Sequence, residues 1–138
     1  MLKKILPVLL IFLFGLNNAF SMGADIFVQS TVNRASKILG NDISKEEKIK
    51  GLKKIAKETV DIKGIGFYTL GAERKKHNNE TLKVYNVLFE EYFLKSFSSR
   101  LAEYTNPEID VYNKEILNKN YTIVNSLLKA KGDRPEIK

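Results

Sequence analysis

The sequence contains no cysteine and no tryptophan, and it has a single histidine, His77. Without cysteine the chain forms neither a disulfide framework nor a zinc–thiolate site, and it has no thiol nucleophile. With one histidine, a metal site built on several imidazoles and a serine–histidine hydrolase are both disfavoured. His77 lies in the polar run 75–79 and is expected to be a solvated loop residue. The sequence therefore predicts no metal site, no cofactor and no catalytic residue.

The first 21 residues also lack acidic side chains. They begin with Lys3–Lys4, continue with an apolar run at Ile5–Leu16 and end in Ala19–Ser21, which places small residues at the −3 and −1 positions of a cut after Ser21. The apolar run is shorter than the ~20 residues that cross a bilayer as a helix. This order is typical of a cleavable signal peptide. We therefore expect export, with residues 22–138 as a single small domain.

Helical patterns fill the chain as far as residue 105. Apolar residues recur at helical spacing over Asp25–Gly40, and Ser44–Glu47 is a capping box that opens a second helix. Asp61 can cap a short third helix, which ends at Gly71. Asn79–Thr105 lacks glycine and proline and repeats aromatic residues and leucine every three or four positions. It predicts one long helix, largely enclosed by protein or bordering an apolar cavity.

Two features of these helices concern partners and packing. The formal net charge is +7, and the second helix is rich in lysine between Lys45 and Lys57. This lysine face is either simply solvated or attracted to anionic lipid headgroups or an acidic partner. Gly64 and Gly66 lie inside the third helix, where glycine is unfavourable, and so predict close packing against another element. They do not form a nucleotide-binding loop, because no strand precedes them.

The pattern becomes typical of β-structure after Asn106–Pro107. Ile109–Leu117 and Tyr121–Leu127 are rich in β-branched and aromatic residues, and a polar turn at residues 118–120 separates them. They predict a β-hairpin. After a turn at residues 131–135, Glu136–Lys138 resembles the beginning of a third strand. The predicted fold class is α+β, with N-terminal helices packed on an antiparallel sheet.

The order of these motifs resembles the MlaC family, also called toluene-tolerance proteins. The resemblance lies in the run Asp61–Gly71, a polar break, Leu82-x-x-Tyr85-x-x-x-Phe89, and Leu94-x-x-Phe97-x-x-x-Leu101-x-x-Tyr104. It covers roughly residues 44–128 together with the export signal. It implies a nuclear-transport-factor-like fold, in which a curved antiparallel sheet encloses a pocket for phospholipid acyl chains. The family pattern continues beyond residue 138 through further strands and a last helix, so the resemblance implies a truncated member with an incomplete sheet.

The function implied by the resemblance is that of a non-enzymatic periplasmic carrier. Such a carrier moves phospholipid between an outer-membrane lipoprotein complex and an inner-membrane ABC transporter with its substrate-binding component. A sheet without its later strands is expected not to close over an acyl chain. The candidate lipid-binding residues are Leu70, Leu82, Tyr85, Phe89, Phe93, Phe97, Leu101, Val111 and Ile123.

Two other classes of function stay open. A small exported enzyme would need a polar dyad, and the nearest candidate is Glu90–Glu91, whose side chains lie ~100° apart on a helix and do not converge. A basic structural or adaptor protein of the cell envelope, without lipid transfer, is the alternative to the carrier. A nucleic-acid partner is not expected, because export removes the chain from cytoplasmic targets and its basic residues are mixed with acids.

Overall fold

The computed structural model of the protein describes residues 23–129. The predicted signal peptide at residues 1–21, the turn at 131–135 and the third strand at 136–138 lie outside the described residues. Within residues 23–129, four α-helices precede one antiparallel hairpin, which confirms the α+β fold class. In chain order, the elements are α1 (Ala24–Gly40), α2 (Lys45–Thr59), α3 (Ile62–Leu70), a 3-10 helix (Gly71–Lys76), α4 (Asn79–Leu101), β1 (Ile109–Asn118) and β2 (Tyr121–Leu128).

The predicted caps fix the starts of α2 and α3. The Glu47 backbone N–H donates to the Ser44 hydroxyl at 3.1 Å, and the Ser44 N–H donates to the Glu47 carboxylate at 3.1 Å, completing the capping box. Asp61 accepts a hydrogen bond from the Gly64 N–H at 2.9 Å. Gly71 follows α3 with a φ of 55°, a conformation that favours glycine. Because each cap contributes ~1 kcal/mol, these local signals determine where the two helices begin.

The four helices form a layer in the order α1, α2, α4, α3. In this layer α1 packs against α2, α2 packs against α4, and α4 packs against α3. A salt bridge between Arg34 and Glu58 joins α1 to α2. Another, between Lys57 and Glu90 at 2.9 Å, joins α2 to α4. Lys45 at the start of α2 pairs with Glu103 just after α4, whereas Lys57 near the end of α2 pairs with Glu90 in the middle of α4, so these two helices run antiparallel. The Lys48 ammonium donates to the Leu39 carbonyl, and with the Arg34–Glu58 pair this gives the same arrangement for α1 and α2. This layer is the frame on which the rest of the chain packs.

The hairpin packs on the α1 side of this layer. Ile109 lies opposite Leu128 in the register, and an irregularity between Val111 and Asn113 shifts the pairing. Leu128 is buried at the base of the hairpin. Towards the tip, most of the large apolar side chains are exposed, including Tyr112, Ile116, Leu117, Tyr121 and Ile123. The base of the hairpin therefore belongs to the core, and the tip does not.

The core has two clusters of buried residues. The first joins α1, α2 and the end of α4 through Leu39, Leu52 and Ala102. The second joins α2, α3 and α4 through Ala56, Ile62 and Leu94. The expectation that α4 is largely enclosed holds for one side of the helix only, because Val84, Val87, Leu88 and Tyr92 are exposed.

Gly66 of α3 lies directly against the Phe89 ring of α4. A Cβ atom at Gly66 would stand 2.9 Å from a ring carbon, closer than real Cβ atoms approach. This contact confirms the close packing predicted for Gly66. At Gly64 the nearest group is not another helix, because a Cβ atom there would clash with the Asp61 carboxylate that caps α3.

Gly66→Ala is expected to lower the free energy of unfolding, although alanine is the better helix former by ~1 kcal/mol. Overpacking against Phe89 costs about 1–3 kcal/mol, so a net loss of ~1 kcal/mol should follow in urea unfolding. Gly51→Ala in α2 is the matched control, because its new Cβ meets only the flexible side chain of Ile38. If both substitutions stabilise the protein equally, Gly66 is not a packing constraint.

Candidate functional site

Four aromatic rings form a continuous stack along α4. The ring centroids of Tyr85 and Phe89 are 5.7 Å apart, those of Phe89 and Phe93 6.2 Å, and those of Phe93 and Phe97 5.6 Å. A step of four residues exceeds one helical turn of 3.6 residues, so the stack drifts by ~40° at each ring. The four rings therefore do not face one common surface.

The start of the stack is held against α3. The Tyr85 hydroxyl donates to the Gly66 carbonyl at 3.1 Å and lies 2.9 Å from the Thr69 hydroxyl. The two middle rings, Phe89 and Phe93, pack against the buried cluster of Ala56, Ile62 and Leu94. Three of the four rings thus connect α4 to α3 and α2.

The last ring borders an apolar cavity of about 340 Å³ between α1, α2, α4 and the hairpin. Phe97 and Leu101 form the α4 wall of this cavity, and the Phe97 residue is 37% exposed. The other lining residues are Thr31, Val32, Ala35, Leu52, Ile55, Ala56, Thr59, Val60, Ile109, Ser126 and Leu128. None of these side chains carries a charge.

The structure brings only part of the predicted lipid-binding set to this cavity. Phe97 and Leu101 line it, whereas Leu70, Leu82, Tyr85, Phe89, Phe93, Val111 and Ile123 are not among its lining residues. Val111 instead borders a polar cleft between α1 and β1 with Asp25 and Arg34. Ile123 is exposed on β2. Leu70, at the end of α3, and Leu82, in the first turn of α4, are half-buried. The role of these residues in lipid binding stays a prediction.

Most residues of the cavity wall are ones that the sequence predicts to be buried on a helix, without any indication that they line a cavity. Val32 and Ala35 belong to the apolar stripe of α1, and Leu52 and Ile55 belong to that of α2. Helical periodicity identifies each stripe, but it does not show that the two stripes leave a gap where they meet α4 and the hairpin. Ser126 carries no periodic signal that would assign it to a pocket.

The two threonines of the wall already use their hydroxyl groups. Thr31 donates to the Phe27 carbonyl at 3.0 Å, and Thr59 donates to the Ile55 carbonyl at 2.7 Å. The cavity therefore offers few free polar groups, and what it can do chemically is to bury apolar surface.

Charged residues lie around the cavity rather than in it. The Lys114 ammonium donates to the Asp25 carboxylate at 2.7 Å, joining β1 to α1, and this hydrogen bond lowers the pKa of Asp25. Arg34 likewise lowers the pKa of Glu58 through a hydrogen bond. Near the base of the hairpin, hydrogen bonds to Glu108 and then Asp110 raise the pKa of Lys129. Of these ion pairs, Lys114–Asp25 links the hairpin to α1, Arg34–Glu58 links α1 to α2, and the Lys129 pairs lie at the base of the hairpin.

Lys114→Met is expected to raise the pKa of Asp25 back towards its ordinary value, because the main cause of the lowering is removed. A carboxylate with a lowered folded-state pKa contributes stability above its unfolded pKa and loses it as the pH falls through the folded pKa. The wild-type protein should therefore lose this contribution under acidic conditions, and the variant should lack it throughout. NMR titration of the Asp25 carboxyl carbon checks this, with Lys119→Met in the hairpin turn as control. An unchanged Asp25 titration in Lys114→Met would contradict the contact.

Residues 23–129 provide neither a metal site nor a membrane span. This part of the chain contains no cluster of three or more histidine, cysteine or acidic residues able to hold a metal ion. It also contains no helix long and apolar enough to cross a membrane.

Comparison with known proteins identifies the family. The family model described as MlaC protein matches residues 29–138, which include most of α1 and every later element. No curated protein and no solved structure matches the chain significantly. Because the match covers most of the sequence and spans both the stacked helix α4 and the walls of the apolar cavity, the chain belongs to the MlaC family.

Proposed function

We propose that the protein is a periplasmic phospholipid carrier and that its cavity holds an acyl chain. The MlaC family, to which the chain belongs, consists of periplasmic lipid-binding transport proteins. The single observation that carries the proposal is the uncharged cavity between the helices and the hairpin. A site without charges and with few free polar groups favours a hydrocarbon chain over a polar metabolite.

Burial alone provides enough free energy for such a site. Each methylene group moved from water into an apolar cavity contributes ~0.8 kcal/mol. The volume of about 340 Å³ lies near the lower end of the range of ~300–1,000 Å³ for small-molecule pockets. This size suits one acyl chain better than both chains of a phospholipid.

The hairpin supports the proposal because it covers one side of the cavity. Ile109, Ser126 and Leu128 form its contribution to the wall. From the sequence we expect that a sheet of two strands does not close over an acyl chain. The cavity instead leads us to expect that the hairpin and the helices together can enclose an acyl chain. Lipid extraction from the purified protein distinguishes these expectations, because bound phospholipid is expected only in the second case.

The proposed partners rest on membership of the MlaC family. We propose that the carrier receives and delivers lipid at an outer-membrane lipoprotein complex and at an inner-membrane ABC transporter with its substrate-binding component. Release requires a partner that binds an open state better than the closed one. The contact between Lys114 and Asp25 joins the hairpin to α1 and is exposed, so it is a natural point for such opening.

Catalysis is not part of the proposal. MlaC is a family of lipid-binding transport proteins and not a known enzyme family. The two residues of the candidate dyad have different surroundings, because Glu90 forms a salt bridge with Lys57 and Glu91 is exposed. Neither residue lines the cavity.

Phe97→Asn tests the proposal through the lipid that copurifies with the protein. Native mass spectrometry of the wild type should show a bound phospholipid, and the variant should lose most of it because a polar amide replaces a ring of the wall. Tyr92→Asn, on the exposed side of the same helix, is the control and should keep its lipid. A wild-type protein without lipid, or equal loss in both variants, would refute the cavity as the site.

A further inference from the structure

The helical layer has an outer face, which we define as the side turned away from the hairpin and the cavity. On α4, Val84, Leu88 and Tyr92 lie ~140–180° around the helix from Phe97, which borders the cavity. All three are exposed, and Leu88 is 59% exposed. The outer face of α4 is therefore a stripe of large apolar residues in contact with water.

Helix α3 extends the same apolar surface. It runs antiparallel to α4, because Thr69 meets Tyr85 while Gly66 meets Phe89. On each helix, the residues that touch the partner define a contact line. When two helices are antiparallel, residues that follow this line in the same direction of rotation, each seen along its own helix, lie on the same side of the pair. Ile65 and Tyr68 of α3 therefore lie on the side of Val84 and Leu88. The Tyr68 residue is 87% exposed.

The α1–α2 half of the outer face is cationic. Lys37, Lys50 and Lys54 are exposed and point away from cavity residues such as Leu52. Among the described residues, none of these three lysines forms a salt bridge. Of the acids beside them, Glu58 is paired with Arg34 and Glu47 belongs to the capping box, whereas Glu46 is exposed one turn before Lys50.

We propose that this outer face binds the surface of an anionic phospholipid bilayer. The apolar stripe with its two tyrosines would enter the headgroup boundary, where tyrosine is favoured, and the lysines would lie over the lipid phosphates. Residues 22–138 contain 21 basic and 16 acidic side chains, and their net charge of +5 attracts the protein to such a surface from a distance. This goes beyond the carrier function, because it gives the protein a membrane contact that does not depend on a protein partner or on a filled cavity.

Vesicle flotation of the processed protein, purified after export without the predicted signal peptide, tests the proposal. The protein should bind vesicles that contain phosphatidylglycerol more tightly than pure phosphatidylcholine vesicles, and high salt should weaken the difference. Lys54→Gln should weaken binding to the anionic vesicles roughly fivefold, and Leu88→Ser roughly tenfold. These residues are exposed, so circular dichroism of the variants should match the wild type.

Matched controls lie in the hairpin. Lys119→Gln makes the same change of charge as Lys54→Gln, and Leu117→Ser replaces a leucine that is 54% exposed. Both controls should bind like the wild type, and Ser126→Trp in the cavity wall should also bind vesicles, which separates this proposal from the carrier function. The proposal is overturned if the controls lose as much binding as the outer-face variants, or if neither kind of vesicle is bound. It is equally overturned if Leu88→Ser changes only self-association or the capture of an acidic protein.

Discussion

Leu39→Ala is expected to lower the free energy of unfolding by about 2–5 kcal/mol. Leu39 is almost completely buried and joins α1 to Leu52 of α2 and Ala102 after α4. Truncation removes the buried methyl groups and leaves a cavity that three rigidly packed elements cannot fill by collapse. Because a domain of this kind has a net stability of only ~5–15 kcal/mol, the loss should be evident as a lower midpoint in urea unfolding.

Leu117→Ala is the matched control for this experiment. Leu117 is exposed near the tip of the hairpin, so the same truncation should change the stability by no more than ~0.5 kcal/mol. Similar losses at both positions would mean that the hairpin tip belongs to the core. That outcome would contradict the arrangement of the core clusters described here.

Ser126→Trp is expected to abolish lipid binding while leaving the protein folded. Ser126 is the one residue of the cavity wall on β2 that is small and polar, and it lies opposite Val111 in the hairpin register. An indole side chain, which buries about 150–250 Å², would extend from the strand into the cavity. Tryptophan is well tolerated in strands, so the hairpin itself should persist. Lipid extraction followed by mass spectrometry should show loss of bound phospholipid.

Thr122→Trp separates the filling of the cavity from the effect of tryptophan in β2. Thr122 is exposed on the same strand and pairs with Ile116 near the tip. This variant should retain its lipid, and both variants should unfold with similar midpoints. If Ser126→Trp keeps as much phospholipid as Thr122→Trp, the acyl chain lies elsewhere.

Local signals in the sequence predict the elements of this fold well. The capping box at Ser44–Glu47, the Asp61 cap and Gly71 mark helix boundaries that the structure confirms, because each depends only on residues a few positions apart. The hairpin is equally local, since its turn lies between Asn118 and Tyr121. The end of α4 is less predictable: the apolar pattern continues to Tyr104, but the helix ends at Leu101.

The arrangement of faces was not predictable in the same way. The aromatic residues of α4 look like one stripe, yet the drift of the stack sends Tyr85 to α3 and Phe97 to the cavity. The sequence pattern also does not predict that Leu88 and Tyr92 are exposed, because apolar residues on several sides of a helix are typical of a buried helix. Which apolar surfaces meet is a property of the packed layer, and it depends on contacts distant in sequence.

Photo-crosslinking tests the central claim, acyl-chain binding in the cavity, most directly. The purified protein is exchanged with a phospholipid that carries a diazirine near the end of one acyl chain, and the crosslinked residues are identified by mass spectrometry. We expect crosslinks at wall residues from several elements, such as Val32 of α1, Leu52 of α2, Phe97 of α4 and Leu128 of β2. Crosslinks confined to the outer face or to the hairpin tip, with none in the wall, would contradict the account.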